Sequence, residues 1–164
     1  MKTWQPARLS VRGFTLTELM IVVTIMGLLL AVSSPALSRF ASNWRLNGAA
    51  STMAMSLRAA RSAAVNKNIN VVFFFDQDAG EYFFLEDTNG NGVADGGERE
   101  TGVQQLPPGV IIKDFDVPQS SITFSSKGST ADGGTIMMTG KHGRLVQIRI
   151  YSGTGNVAVE RAQA

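Results

Sequence analysis

The sequence predicts an α+β fold: one long amino-terminal α-helix, its first half membrane-spanning and kinked near Pro35, packed on an antiparallel β-sheet domain. Three observations predict it. Between Phe14 and Ser38 the only charged side chain is Glu18, in an apolar run long enough to cross a bilayer at roughly 20 residues per helical span. From Leu37 to Asn66 the pattern remains helical, with a single apolar stripe. After Asn66-Lys67-Asn68 the period changes to short runs rich in Val, Phe and Tyr, divided by glycine turns. A helix first and strands afterwards argue for one sheet laid on that helix.

The chain divides on this reading into a leader at 1–13, a membrane helix at 14–36, an amphipathic helix at 37–66 and a β-rich domain at 67–164. In the membrane helix Pro35, behind Ser33-Ser34, removes one backbone hydrogen bond and clashes with the preceding turn, so a kink or local melting over Gly27–Pro35 is expected. Ser hydroxyls satisfy freed carbonyls in such settings. In the second helix Leu46, Ala50, Met53, Leu57, Ala60 and Ala64 form the stripe, with Arg45, Arg58 and Arg61 off it. Joined, the two helices would make a rod of roughly 50 residues, about 75 Å at about 1.5 Å per residue.

Strands are expected at Asn70–Phe75 and Glu81–Leu85, joined by the loop Asp76-Gln77-Asp78-Ala79-Gly80, then at Val110–Lys113, Ser121–Phe124, Thr135–Thr139, Leu145–Tyr151 and Val157–Glu160. Turns fall at Lys127-Gly128, Asp132-Gly133-Gly134 and Ser152-Gly153-Thr154-Gly155, and Pro107-Pro108-Gly109 and Val117-Pro118 mark loops.

Charge and composition narrow the function classes. The chain of 164 residues has a formal charge of +2 and no cysteine, so it holds no disulfide and no thiolate metal site. Lys2, Arg8 and Arg12 of the leader account for the basic balance; without them 12 basic side chains face 13 acidic ones. The remaining chain therefore carries no whole-domain electrostatic footprint for nucleic acid. No catalytic constellation is present. The sole histidine, His142, sits in Gly140-Lys141-His142-Gly143, which reads as an exposed hairpin turn, and there is no nucleophile elbow or phosphate loop. Met137-Met138 and Phe73–Phe75 read as core. The protein is read as a non-enzyme that requires no cofactor.

The segment Gly13-Phe14-Thr15-Leu16-Thr17-Glu18-Leu19 resembles the processing site of type IV prepilins and type II secretion pseudopilins. The glycine precedes the apolar core, whereas a secretory signal places its cleavage site after that core. The resemblance implies cleavage by prepilin peptidase after Gly13 and N-methylation of Phe14, with the span left attached. It also implies that Glu18 is the acidic fifth mature residue, which pairs with the Phe14 amine of a neighbouring subunit inside a filament. An ionisable group in hydrocarbon is costly without such a partner, although four helical steps from Phe14 is only about 6 Å, a depth from which Glu18 could simply reach the interface. The leader cations favour an amino terminus on the cytoplasmic side, with the remainder facing the periplasm or cell exterior; the resemblance implies a single-pass bacterial inner-membrane protein with its sheet domain in the periplasm.

The second half resembles the domain of GspH/FimT-type minor pseudopilins, through Ile122-Thr123-Phe124, Lys127-Gly128, the strand Arg144-Leu145-Val146-Gln147-Ile148-Arg149-Ile150 and Gly155-Asn156-Val157-Ala158-Val159. This implies a pilin-like fold and a structural minor subunit of a type II secretion pseudopilus or a type IV pilus. Its partners would be other pilins and the inner-membrane assembly platform. Subunits capping the extreme filament tip can lack the acid, so Glu18 implies a member that docks beneath others. The alternative function is a DNA-binding minor pilin for natural transformation. Such proteins carry a Gly-Arg-x-Arg element where this chain has Gly155-Asn156-Val157-Ala158, with both arginines missing; Lys141, Arg144 and Arg149 would form only a small basic patch.

One further motif stands apart from the resemblance. Asp87, Asn89, Asn91, Val93, Asp95 and Glu98 fall at positions 1, 3, 5, 7, 9 and 12 of an EF-hand-like loop with Gly92 at position 6. Ca²⁺ takes six to eight hard oxygens, and the loop is a candidate Ca²⁺ site, with Val93 offering its carbonyl and Glu98 a bidentate carboxylate. Its flanks do not read as EF helices, so the expected role is to order a long loop, with weak affinity of about 10⁻⁴–10⁻³ M.

Overall fold

The computed structural model describes residues 13–92, 98–100, 102–117, 120–131 and 133–161. The chain forms two compact units, one up to Ser38 and one from Arg39. Helix α1 is assigned from Leu16 to Lys67, 52 residues, with Pro35 inside it. The melting expected over Gly27–Pro35 is therefore not seen. Pro35 removes only the bond its own nitrogen would donate, and the helical ladder resumes on both sides. Ser33 Oγ donates to the Leu29 carbonyl at 2.8 Å, the ordinary back-bond of a helical serine, and not to the Ala31 carbonyl that Pro35 leaves without its helical N–H.

In the first unit every side chain from Phe14 to Ser38 is exposed, and this stretch is long and apolar enough to cross a membrane. In the second unit the apolar stripe is buried as its spacing predicts. Leu46, Ala50, Met53, Leu57, Ala60 and Ala64 are all inaccessible, and Ala49 and Ala54 widen the stripe. The helix ends where Asn68 adopts φ 54°, with Ile69 N donating to Ala64 O and Asn68 N to Val65 O. This is a Schellman cap, and asparagine is one of the few residues that tolerates its left-handed position.

Among the described residues nine antiparallel strands follow: β1 Asn70–Asp76, β2 Glu81–Asp87, β3 Arg99–Glu100, β4 Gln104–Gln105, β5 Val110–Phe115, β6 Ser121–Phe124, β7 Gly134–Gly140, β8 Leu145–Ile150 and β9 Val157–Arg161. The seven longer ones match the expected runs to within two residues at either end. The single sheet expected from sequence is instead two. One has the order β3-β2-β1-β6, with β4 also paired to β2; the other has the order β5-β7-β8-β9. The periodicity of each strand is the same in either arrangement, so only the pairing decides.

One core joins both sheets to the helix: Val71, Phe73, Phe75, Tyr82, Ile122 and Phe124 from the first, Val110, Ile112, Ile136, Met138, Val146, Ile148, Ile150 and Val157 from the second. Phe74 and Met137 point away from it and are only half-buried, Phe74 stacking on Phe83 at 5.2 Å. Two stripe-flanking arginines lash the helix to the second half of the domain. An Arg58 guanidinium nitrogen donates to Val157 O, and Arg61 Nε donates to Gly128 O, each at 2.8 Å. A fully buried large apolar side chain contributes about 1.5–3 kcal/mol and a hydrogen bond about 0.5–1.5. The stripe therefore holds the helix down and the arginines set its register.

Candidate functional site

The amino-terminal site is built by the first helical turn. Gly13, Phe14 and Thr15 are non-helical, and Thr15 is the N-cap of α1. Its hydroxyl accepts from Glu18 N at 3.2 Å. In return, Glu18 Oε2 accepts from Thr15 N and from the Thr15 hydroxyl, each at 3.2 Å. This reciprocal pattern is a capping box, which the T-x-x-E spacing of Thr15 and Glu18 signals in the sequence. Phe14 is 81% exposed and lies beside Thr15 and Glu18 around an open cleft of about 520 Å³. Gly13 and Phe14 are still joined by a peptide bond, so the Phe14 nitrogen is an amide and Glu18 is occupied within its own chain.

The second site is the loop after β2. Asp87 ends that strand and is 3% exposed. Its Oδ1 accepts from Gly90 N and Asn91 N at 2.6 and 3.2 Å, and its Oδ2 accepts from Gly92 N at 2.9 Å. Asn89 Oδ1 accepts from Asn91 N at 3.0 Å, and Gly90 and Gly92 take φ of 76° and 71°. Glu98 Oε1 accepts from Thr88 N at 3.0 Å. Strand β3 then pairs back onto β2 through Leu85↔Glu100 and Glu86↔Arg99. The loop thus closes a β-hairpin, with its first and twelfth positions at the base. Val93 and Asp95 lie outside the described residues. Among the described residues no group of three or more His, Asp or Glu side chains is gathered as a metal-binding set. Asp87 and Glu98 supply two carboxylates, and their hard oxygens fit Ca²⁺ in kind.

The remaining basic residues fall differently from the patch expected. Arg149 is ion-paired with Glu160 across β8 and β9, at 3.7 Å, and so adds little to any patch with Lys141 and Arg144. His142 occupies the exposed β7–β8 turn, as its neighbours predict. Arg144, His142 and Gly143 instead line an open cleft of about 530 Å³ with Arg39 and Asn43 of α1. Residues more than 95 positions apart in sequence meet there, and no local pattern announces it.

A membrane-compatible helix with Gly13-Phe14 just ahead of its first turn and a strand-built domain at its end is the pilin class of fold. The chain belongs to the GspH family of type II transport proteins, whose model matches residues 49–154; the prokaryotic N-terminal methylation motif matches residues 8–34. The pilin-like protein PilA1 of Thermus thermophilus is 38% identical over 88 residues, which are 53% of this chain and 55% of that relative, so the match spans about half the length of each. In structure the chain is similar to the minor pseudopilin EpsH of the Vibrio cholerae type 2 secretion system, with a TM-score of 0.57 and 17% identity over 71% of this chain and 97% of that one. It is also similar to the type IV minor pilin FimU of Pseudomonas aeruginosa, with a TM-score of 0.53 and 17% identity over 74% and 92% of the two chains. These likenesses establish the fold.

Proposed function

We propose that the chain is a structural minor subunit of a type II secretion pseudopilus or type IV pilus, cut after Gly13 and methylated on Phe14 before assembly. The observation that carries this reading is the coincidence of two family matches, 8–34 and 49–154, with Glu18 in register behind the Gly13-Phe14 junction. Cleavage would convert the Phe14 amide into an amine. Glu18 of an incoming subunit would then exchange its capping bonds to Thr15 for a neighbour's Phe14 amine within an apolar filament core. Breaking a buried pair of that kind costs about 3–5 kcal/mol, enough to set subunit register. The presence of Glu18 supports a position beneath other subunits instead of at the extreme tip.

Its partners on this reading are prepilin peptidase, other pilins of the same filament and the inner-membrane assembly platform, with the sheet domain in the periplasm. It performs no catalysis itself. The 87–98 loop takes Ca²⁺ as an ordering ion, supported by buried Asp87 at a strand end and Glu98 at the other base of the hairpin. Mass spectrometry of the chain from cells with and without the peptidase tests the first step: a mature mass lacking residues 1–13 with one added methyl group is expected, and an unprocessed chain refutes it. Co-purification with pseudopilus or pilus components identifies the filament. A salt-dependent gel shift with duplex DNA is the test of the alternative, a DNA-binding minor pilin, which the missing arginines and the Arg149–Glu160 pair disfavour.

A further inference from the structure

Among the described residues no acid lines the cleft between α1 and the β7–β8 turn, and three of its five lining residues are basic: Arg39, His142 and Arg144. The turn is seated on the helix. A Cβ on Gly140 would meet Ser42 Oγ at 3.3 Å and Leu46 Cβ at 3.6 Å. Gly140 N donates to Arg144 O, and the Thr139 hydroxyl donates to the same carbonyl. The backbone of the turn is therefore held independently of the Arg144 side chain.

Next to the cleft, on the same stretch of helix, lies an aromatic pair. Phe40 and Trp44 stand one helical turn apart with ring centroids 6.0 Å apart, and they are 62% and 71% exposed. Both follow closely on Leu37, the last residue of the exposed apolar run, and Arg39 is only two residues beyond it. Where that run spans a bilayer, covalent order alone keeps Arg39, Phe40 and Trp44 within seven residues of its end, in reach of the lipid headgroups. Tryptophan and phenylalanine flanked by guanidinium groups are what such a layer stabilises, the rings at the interface and the cations on phosphate.

We infer that Arg39, His142 and Arg144, with Phe40 and Trp44 beside them, form a docking surface for anionic phospholipid headgroups in the leaflet at the carboxyl-terminal end of the span. The inference rests on the reading of residues 14–36 as membrane-spanning. The contact would engage the headgroups at this cleft until the subunit is drawn into a filament. A nucleic acid would use the cations but has no need of an aromatic pair beside a membrane span. A second copy of the chain would need a carboxylate opposite the cleft.

The test uses the full chain with Trp4→Phe, which leaves Trp44 as its only tryptophan. The protein is reconstituted in phosphatidylcholine vesicles with or without phosphatidylglycerol, and alkaline extraction reports separately whether the span is inserted. With phosphatidylglycerol, Trp44 emission should shift to the blue and be quenched by lipids brominated near the headgroup. Each basic side chain at an anionic surface strengthens association about fivefold. Arg39→Gln with Arg144→Gln should therefore weaken the dependence on phosphatidylglycerol by more than tenfold, while Arg39→Lys with Arg144→Lys retains it. An inserted chain whose Trp44 emission is the same in both vesicles overturns the inference, as does a glutamine double variant that still responds. A blue shift that follows protein-to-lipid ratio and ignores phosphatidylglycerol assigns the face to a second copy. A shift produced only by added duplex DNA assigns it to nucleic acid. Either result also overturns the inference.

Discussion

Glu18 and Thr15 satisfy one another: the carboxylate accepts the backbone N–H and the hydroxyl of Thr15, and that hydroxyl accepts Glu18 N, all at 3.2 Å. The acid proposed for assembly is thus already the N3 residue of a capping box before any neighbour arrives. The two roles separate by mutation. Thr15→Ala should remove only the cap, weakening the first turn by about 0.5–2 kcal/mol. Glu18→Ala should remove both, and its level in purified filaments should fall far below that of Thr15→Ala while membrane insertion is unchanged. Normal filament incorporation of Glu18→Ala would contradict an assembly role.

Met53 and Leu57 are inaccessible at the centre of the helix stripe. Leu57→Ala should cost about 2–5 kcal/mol in denaturant unfolding of the chain in detergent, whereas Met55→Ala, on the exposed face, should change stability by less than about 0.5 kcal/mol.

Gly155 has φ 65°, and a Cβ there would sit 2.4 Å from Gly128 O, the carbonyl that Arg61 holds, and 3.2 Å from Arg61 Nε. Gly155→Ala should therefore displace backbone and loosen the Arg61 tie, destabilising by about 1–3 kcal/mol. Gly143 has a similar φ of 76° but open space around it, so Gly143→Ala should carry only the left-handed strain, about 1–2 kcal/mol. Thermal unfolding of the pair should rank Gly155→Ala as the less stable.

Burial raises the Tyr82 phenol above its ordinary value of 10.0, opposed in part by a hydrogen bond with Ser56. The folded state therefore holds the proton more tightly than the unfolded chain. Its contribution is complete below pH 10 and is lost as pH rises from there through the folded value. Melting temperature should drop above pH 10, and Tyr82→Phe should make that drop shallower.

If Ca²⁺ orders the 87–98 loop with an affinity near 10⁻³ M, about 10 mM calcium should stabilise the domain by about 1.4 kcal/mol over an EDTA-treated sample. Equal melting curves in calcium and EDTA would remove the ion from the loop. Asp87→Asn should lower stability even in EDTA, because its buried oxygens accept three backbone N–H groups.

Much of the fold was legible because its signals are local. The step from helical to alternating period at Asn68 marked the end of α1, and Asn68 proves to be its left-handed cap. The two-residue strands β3 and β4 were not legible, since two residues carry no period; they exist because β2 offers them an edge. The Thr15–Glu18 box was legible and overlooked. The Arg39–His142–Arg144 cleft was not, because its members come from opposite ends of the sequence.

By itself, the sequence determined the Gly13-Phe14 motif, the apolar run behind it with its single acid, the buried stripe of α1 and the alternation of each long strand. All follow from covalent order and short-range periodicity. Only the tertiary structure decided that the strands form two sheets, that the Asp87 loop closes a hairpin, that Arg58 and Arg61 tie the helix to distant carbonyls, and that Arg149 is ion-paired while Arg144 faces Arg39. Those relationships depend on which strands pair and where turns land on the helix. The burial of one shared core sets these long-range contacts, which no local window of residues contains.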